Sequence, residues 1–171
     1  TTATHAIDTI RFLFSKIAGE IKEVYGFKNK FKNFTSKDDK NYDALLVFNN
    51  GLKVTLQSLD IKSYDNFDFH IFGKKGKILI TDIGRTVLFF PINKSPEHSG
   101  FTELNRKPKK LYGSKPRKQF LTLAENAVDC LLNKKTKPFC SAEDSFIDME
   151  IINKIIMSAK DKSKLKKIKI N

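Results

Sequence analysis

The sequence predicts an α+β fold: an open, mostly antiparallel β-sheet with helices packed on one face. Three observations predict it. Apolar residues recur at helical spacing at the beginning of the chain and twice in its last third, whereas the middle alternates with period two. The alternating runs are joined by short turns rich in Gly and Asn, which is how an antiparallel meander is written in sequence. The chain has 171 residues, 40% of them hydrophobic, with fifteen Phe. That is enough for one domain, residues 1–171, with a real core.

Residues 5–17 read as a helix. Ile7, Ile10, Phe14 and Ile17 fall at i, i+3, i+7 and i+10 and form one buried stripe. His5, Asp8 and Phe12 fall on a different face, with Asp8 in the first turn, where the helix dipole favours a carboxylate. Gly19 ends the helix, and "EIKEVYGF" reads as a strand. A polar loop, "KNKFKNFTSKDDKN", leads to the hairpin "DALLVFNNGLKVTLQSL". Asn50-Gly51 supplies a two-residue type I′ turn. That turn sets Val47 opposite Val54, Leu45 opposite Leu56, Phe48 opposite Lys53 and Leu46 opposite Thr55. The first strand is apolar on both faces, so its second face is expected to be covered at least in part, with another subunit as a candidate.

"NFDFHIFGKKGKILITD" reads as a second hairpin turning at Gly73-Lys74-Lys75-Gly76, and "GRTVLFFPI" as the next strand. Residues 92–117 read as one long basic loop carrying Pro96, Pro108 and Pro116, a length that is usually functional or mobile. "KQFLTLAENAVDCLLN" is helical, with Phe120, Leu123, Ala127 and Leu131 on one side. After Pro138, Ser141 is an N-cap with Asp144 three residues on as its capping-box partner. In the helix that follows, Phe146, Met149, Ile152, Ile156 and Ala159 are the expected inner face. "KLKKIKI" closes the chain as a short edge strand, and there is no internal repeat.

The net charge is +13, concentrated in 105–118, 133–138 and 160–170. Two readings stay open: a footprint for phosphate, or a lysine-rich surface. Aromatics are not interleaved with the basic clusters as stacking platforms. No apolar run reaches the roughly 18 residues of a membrane span, and no basic segment followed by an apolar one opens the chain, so neither membrane nor leader is expected. Cys130 and Cys140 lack a CxxC spacing and a His pair, which fits reduced thiols and a cytoplasmic location. His5, His70 and His98 have no ligand spacing, so no metal is expected. On residues alone His5 reads as a helix-end side chain satisfied by Asp8 or solvent.

Taken in order, "THAIDTIRFLF", "GEIKEV", "VFNNGLKVTL", "IFGKKGKILI" and "SAEDSFIDMEIINKIIMSAK" resemble the C-terminal domain of the Gfo/Idh/MocA oxidoreductases, the glucose–fructose oxidoreductase and inositol dehydrogenase relatives. The resemblance implies a fold like the C-terminal domain of glyceraldehyde-3-phosphate dehydrogenase. It implies an N-terminal Rossmann domain, not found in this chain, that holds most of an NAD or NADP cofactor. No GxGxxG follows a strand here, and the family's Glu-Lys-Pro motif is missing. Thr1 then reads as the domain junction, and the chain alone is expected to be inactive.

The family's site motif is Asp-x-x-x-His-x-x-Asp. His5 matches its histidine and Asp8 its second aspartate, while the first aspartate falls on Thr1, a departure. The resemblance implies a catalytic role for His5, taking the proton of a substrate hydroxyl while hydride leaves the same carbon. An imidazole with an ordinary pKa of about 6.5 suits that exchange. Thr1 and Asp8 are its implied substrate-binding companions. For a phosphorylated or nucleotide-sugar substrate, Arg106, Lys109 and Arg117 are the candidates in the basic loop, arginine offering a two-pronged contact to phosphate.

The implied function is that of a sugar, nucleotide-sugar or cyclitol dehydrogenase domain, with a small-molecule substrate and a homo-oligomer through the open sheet face. The reading from another class is a basic, non-catalytic module that binds nucleic acid or serves as a dimerisation scaffold. Steep salt dependence of binding separates the two.

Overall fold

A computed structural model describes residues 2–29, 41–59, 66–113, 118–133, 135–162 and 164–168. In chain order the elements are α1 (Thr2–Ala18), β1 (Ile21–Lys28), β2 (Tyr42–Phe48), β3 (Lys53–Leu56), β4 (Phe69–Gly73), β5 (Gly76–Thr81), β6 (Thr86–Lys94), β7 (Thr102–Leu104), β8 (Lys109–Gly113), α2 (Lys118–Leu132), α3 (Ala142–Lys160) and β9 (Lys166–Lys167). Among the described residues every strand pairing is antiparallel, and the class is α+β as expected. The contacts divide the chain into two units, Thr1–Asp60 with Lys134–Asn171, and Ile61–Asn133.

The first unit is a four-stranded sheet in the order β3-β2-β1-β9 with helices on one face. Val24 pairs with Leu46 and Gly26 with Ala44, so these four share that face, and all are buried. Gly26 is where α3 comes closest. A Cβ built there would overlap the Ile155 carbonyl oxygen and lie 2.9 Å from its carbon. The Gly26 N–H donates to Ser158 Oγ at 2.9 Å, and Ser158 in turn donates to the Lys164 carbonyl. From α1, Ile7, Ile10 and Ala18 are buried, and Phe14 meets Phe48 edge-on at 6.2 Å between centroids. β9 pairs with β1 through Glu23–Lys167 and Val24–Lys166, close to where the alternation "KLKKIKI" places an edge strand.

Three expectations in this unit need correction. The β2–β3 hairpin pairs Leu46 with Val54 and Leu45 with Thr55, one residue off the expected register. Among the described non-Gly residues Asn50 does not have a positive φ, whereas Gly51 does, at 88°. The turn is therefore a three-residue loop ending in a left-handed Gly, not a two-residue type I′ turn. Its position is tied to the end of α1: the Asn49 N–H donates to Glu20 O and the Asn50 N–H to Ala18 O.

The stripe on α1 is also cut differently. Ile17 is 73% exposed, whereas Arg11 is buried. On α3 the buried residues are Asp148, Ile151, Ile155 and Ser158. Phe146 and Met149, expected inside, are exposed. The face is turned by one residue because two polar side chains on it find partners on other elements.

The second unit is built on the sheet β4-β5-β6-β7, with β8 also paired to β6. Gly73 pairs with Gly76 around Lys74-Lys75, as the sequence suggests. The loop expected over 92–117 contains β7 and β8 instead. The first half of β6 pairs with β8 and its last residues, Ile92–Lys94, with β7. β8 is exposed throughout, so its alternation is hidden by edge lysines, a usual device for protecting a sheet edge. In α2 the one-sided residues Phe120, Leu123 and Leu131 are all exposed.

Candidate active site on helix α1

His5 and Asp8 both lie on α1. His5 is exposed and Asp8 half-buried. The helix begins at Thr2, so Asp8 lies beyond the first turn, and the dipole account of it does not hold. Its surroundings supply another. One ligand atom each of Asp8, Cys140 and Asp148 lie within 4.8 Å of one another, joining the middle of α1 to the start of α3.

The counter-charge of this group is Arg11, one turn beyond Asp8. Its Nη1 donates to Asp148 Oδ1 at 2.9 Å and to the Asp144 carbonyl at 3.1 Å. Its Nη2 lies 3.5 Å from Asp144 Oδ1, and its Nε donates to Glu20 Oε2 at 3.4 Å. Burial alone would lower the Arg11 pKa, but the bond and charge of Asp148, with Glu20, outweigh it and hold the guanidinium charged. Burial pushes Asp148 up, against the bond and charge of Arg11, and the like charges of Asp8 and Asp144 add to the rise.

α3 is placed by its cap. Ser141 Oγ accepts from the Asp144 N–H at 3.1 Å, and Asp144 Oδ2 accepts from the Ser141 N–H at 3.0 Å, so the capping box read from the sequence is formed. These Ser141 bonds, with the charge of Arg11, hold the Asp144 carboxyl below its ordinary range. Cys140 is exposed, with its Sγ 3.5 Å from Ser145 Oγ. That contact favours the thiolate, but burial and the carboxylates of Asp8 and Asp144 prevail and push the thiol up. Asp148 is already held by a guanidinium, so the cluster reads as an acid–thiol group with Arg11 as its cation.

The structure brings Asp8 together with residues the sequence did not single out as site residues: Arg11, Cys140, Asp144 and Asp148. The available signal was one charge of each sign set into two apolar faces, Arg11 beside Ile7 and Ile10, and Asp148 beside Ile151 and Ile155. Arg106 and Lys109 belong to the second unit. Arg106 is exposed and stands 3.7 Å from Glu97. Lys109 is exposed on β8 opposite Phe89. Thr1 and Arg117 lie outside the described residues. His70 is an exposed sheet histidine, and exposed His98 meets Phe101 edge-on.

Residues 1–79 match the family model of the GFO/IDH/MocA C-terminal domain. They make up less than half of the 171 residues. The match takes in α1 with His5, Asp8 and Arg11, and ends within β5, before Arg106 and Lys109. No curated protein sequence matches the chain.

Solved oxidoreductase structures share the fold over nearly all of the chain. An aldose-aldose oxidoreductase from Caulobacter crescentus, complexed with glycerol, superposes with a TM-score of 0.72 over 97% of this chain at 16% identity. The WlbA dehydrogenase from Bordetella pertussis, in complex with NADH and UDP-GlcNAcA, gives 0.63 over 100% at 14% identity. Biliverdin reductase from Synechocystis sp. PCC 6803, with biliverdin and NADP+, gives 0.60 over 92% at 16% identity. The chain spans 46%, 44% and 45% of those three chains, less than half of each. Among the described residues no helix is long and apolar enough to cross a membrane.

Proposed function

We propose that this chain is the substrate-facing C-terminal domain of a cytoplasmic NAD(P)-dependent oxidoreductase acting on a hydroxyl of a sugar, nucleotide sugar or cyclitol. His5 is the group that takes the hydroxyl proton. The observation that carries the reading is an exposed imidazole on the family-matched helix α1, three residues before an Asp8 held against α3. A positioned imidazole at a hydroxyl contributes about 10²–10⁴-fold as a general base.

The nicotinamide cofactor is not matched by a cradle in the described residues. The glycines with positive φ are Gly19, Gly51, Gly76, Gly84 and Gly100. Gly19 follows a helix, Gly76 opens β5 and the others lie between strands, so none can present backbone N–H groups to a pyrophosphate at a helix start. In this reading the nucleotide is held by residues outside those described, and this chain's own part is to receive the substrate and its proton. Alone it is inactive in this reading.

A second copy of the chain is the proposed partner on the open face of the first sheet, where Leu45 is half-buried and Phe27 is 46% exposed. A light-scattering mass of one chain at micromolar concentration removes that part.

The test uses the whole protein that carries this chain. Nicotinamide absorbance is followed against a panel of aldoses, cyclitols and nucleotide sugars. Turnover on a panel member that falls about a hundredfold or more in His5→Asn, with the fold retained, supports the reading. No turnover on any, or a His5→Asn enzyme within twofold of wild type, overturns it.

A further inference from the structure

Arg11 is a charged residue on the buried side of α1, and the function just proposed does not use it. The apolar contacts of α1 come from Ile7, Ile10, Phe14 and Ala18. Such contacts are non-directional and leave a helix some freedom to roll about its axis. The Arg11 fork is directional: it bonds the Asp148 carboxylate and the Asp144 carbonyl on α3, and Glu20 just before β1. His5, Asp8 and Arg11 are spaced three residues apart, so they lie along one slowly turning row on the helix surface. A roll of α1 that loosens Arg11 moves both other side chains with it.

We propose that Arg11 is a positioning residue: by clamping α1 to α3 it sets where Asp8 and His5 point. The proposal rests on the reading of His5 and Asp8 as site residues, but its consequence for Asp8 is measurable without a substrate. Asp8 stands beside the exposed thiol of Cys140, with Asp144 and Asp148 from α3 facing the same group. While Asp8 is held there it suppresses the Cys140 thiolate. Released, it frees the thiol to react.

The experiment measures the rate of alkylation at Cys140 itself, by peptide mass spectrometry after iodoacetamide treatment near pH 7.5 of the whole protein, so that Cys130 and any cysteine outside these 171 residues do not enter the readout. Asp8→Asn removes a charge at up to 4.8 Å and should raise the rate roughly fourfold at the dielectric of water, more if the site is drier. Arg11→Met should raise it in the same direction. Arg11→Lys keeps the charge without the fork and should fall between. The Asp8→Asn/Arg11→Met double variant should react no faster than Asp8→Asn alone, because both act through Asp8.

An Arg11→Met rate equal to wild type overturns the proposal. So does a double variant whose two effects multiply, which is the signature of general loosening. A second readout is turnover: Arg11→Met should lower kcat tenfold or more with KM changed less than threefold. Non-multiplying thiol rates in a protein with no turnover on any substrate uphold the clamp and sink the dehydrogenase reading. A His5-dependent enzyme whose thiol rate and kcat ignore Arg11 does the reverse.

Discussion

Gly26→Ala tests the packing that places α3 on the sheet. Gly26 has no positive φ, so alanine meets no backbone penalty there, and in a strand it would by itself gain about 0.5–1 kcal/mol over glycine. Space is the obstacle. The new Cβ would overlap the Ile155 carbonyl oxygen and lie 2.9 Å from its carbon and 3.1 Å from its Cγ2. Two of these atoms are helix backbone, which cannot change rotamer, so α3 has to lift. Overpacking of this kind costs about 1–3 kcal/mol. Lifting α3 also breaks the 2.9 Å bond from the Gly26 N–H to Ser158 Oγ, worth about 1 kcal/mol. The expected net loss is about 2–3 kcal/mol, or a Tm lower by about 5–10 °C for a chain of this size.

Thermal unfolding followed by circular dichroism reads the loss, and amide exchange places it. The faster exchange should fall in the first unit, which holds both Gly26 and Ile155. Gly73→Ala is the control: its built Cβ meets only the Gly76 oxygen, at 3.7 Å, and its Tm should stay within about 2 °C of wild type. A Gly26→Ala protein as stable as that control would refute the close approach of α3 to β1.

Ser141→Ala removes the capping box of α3 and should cost about 1 kcal/mol by thermal or urea unfolding. The same box gives a pH signature. Asp144 is held below its ordinary value, so its contribution is present above that value and lost as pH falls through the lower folded one; Asp144→Asn should flatten the acid limb of the Tm–pH curve. Asp148→Asn leaves a buried guanidinium short of its best partner and should cost about 3 kcal/mol, whereas Arg11→Met/Asp148→Leu, which removes both charges, should melt close to wild type. Ile83 has a φ of 54° at an exposed hairpin position, so Ile83→Asn should raise the Tm by a few degrees, since asparagine tolerates that backbone about 1 kcal/mol better.

Element order was legible because period and turn chemistry are local. The capping box at Ser141 was legible for the same reason. What failed was decided by distant partners. The Asn-Gly pair at 50–51 serves a two- or a three-residue loop equally well. The choice is made by bonds from Asn49 and Asn50 to the Glu20 and Ala18 carbonyls, some thirty residues away. On α3, Phe146 and Met149 outrank Asp148 and Ser158 in hydrophobicity. Yet the polar pair is inside, because Arg11 and the Gly26 N–H satisfy it. β8 escaped notice because its lysines alternate with nothing buried. The candidate site was half legible: His5 and Asp8 came from a motif, but Arg11 and Cys140 enter only once α1 and α3 lie side by side.

Likeness of fold narrows the chemistry of this chain less than its side chains do. The three superposed proteins were solved with glycerol, with NADH and UDP-GlcNAcA, and with biliverdin and NADP+; apart from the nicotinamide nucleotides, these ligands share neither size nor charge. A backbone common to all of them cannot select among their ligands. Selection has to come from groups the backbone displays and from whatever fixes those groups in place. In the reading proposed above the displayed group is His5, and the contacts that would fix it run from Asp8 and Arg11 to Cys140, Asp144 and Asp148. Those contacts are polar and directional in a layer that is otherwise apolar, and a buried ion pair of this kind is weak grounds for stability, since apolar replacements often serve as well. The proposed clamp gives it a role in orientation rather than in energy. If the double replacement of Arg11 and Asp148 kept the wild-type Tm yet lost the restraint on Cys140, stability and orientation would be separated in a single protein.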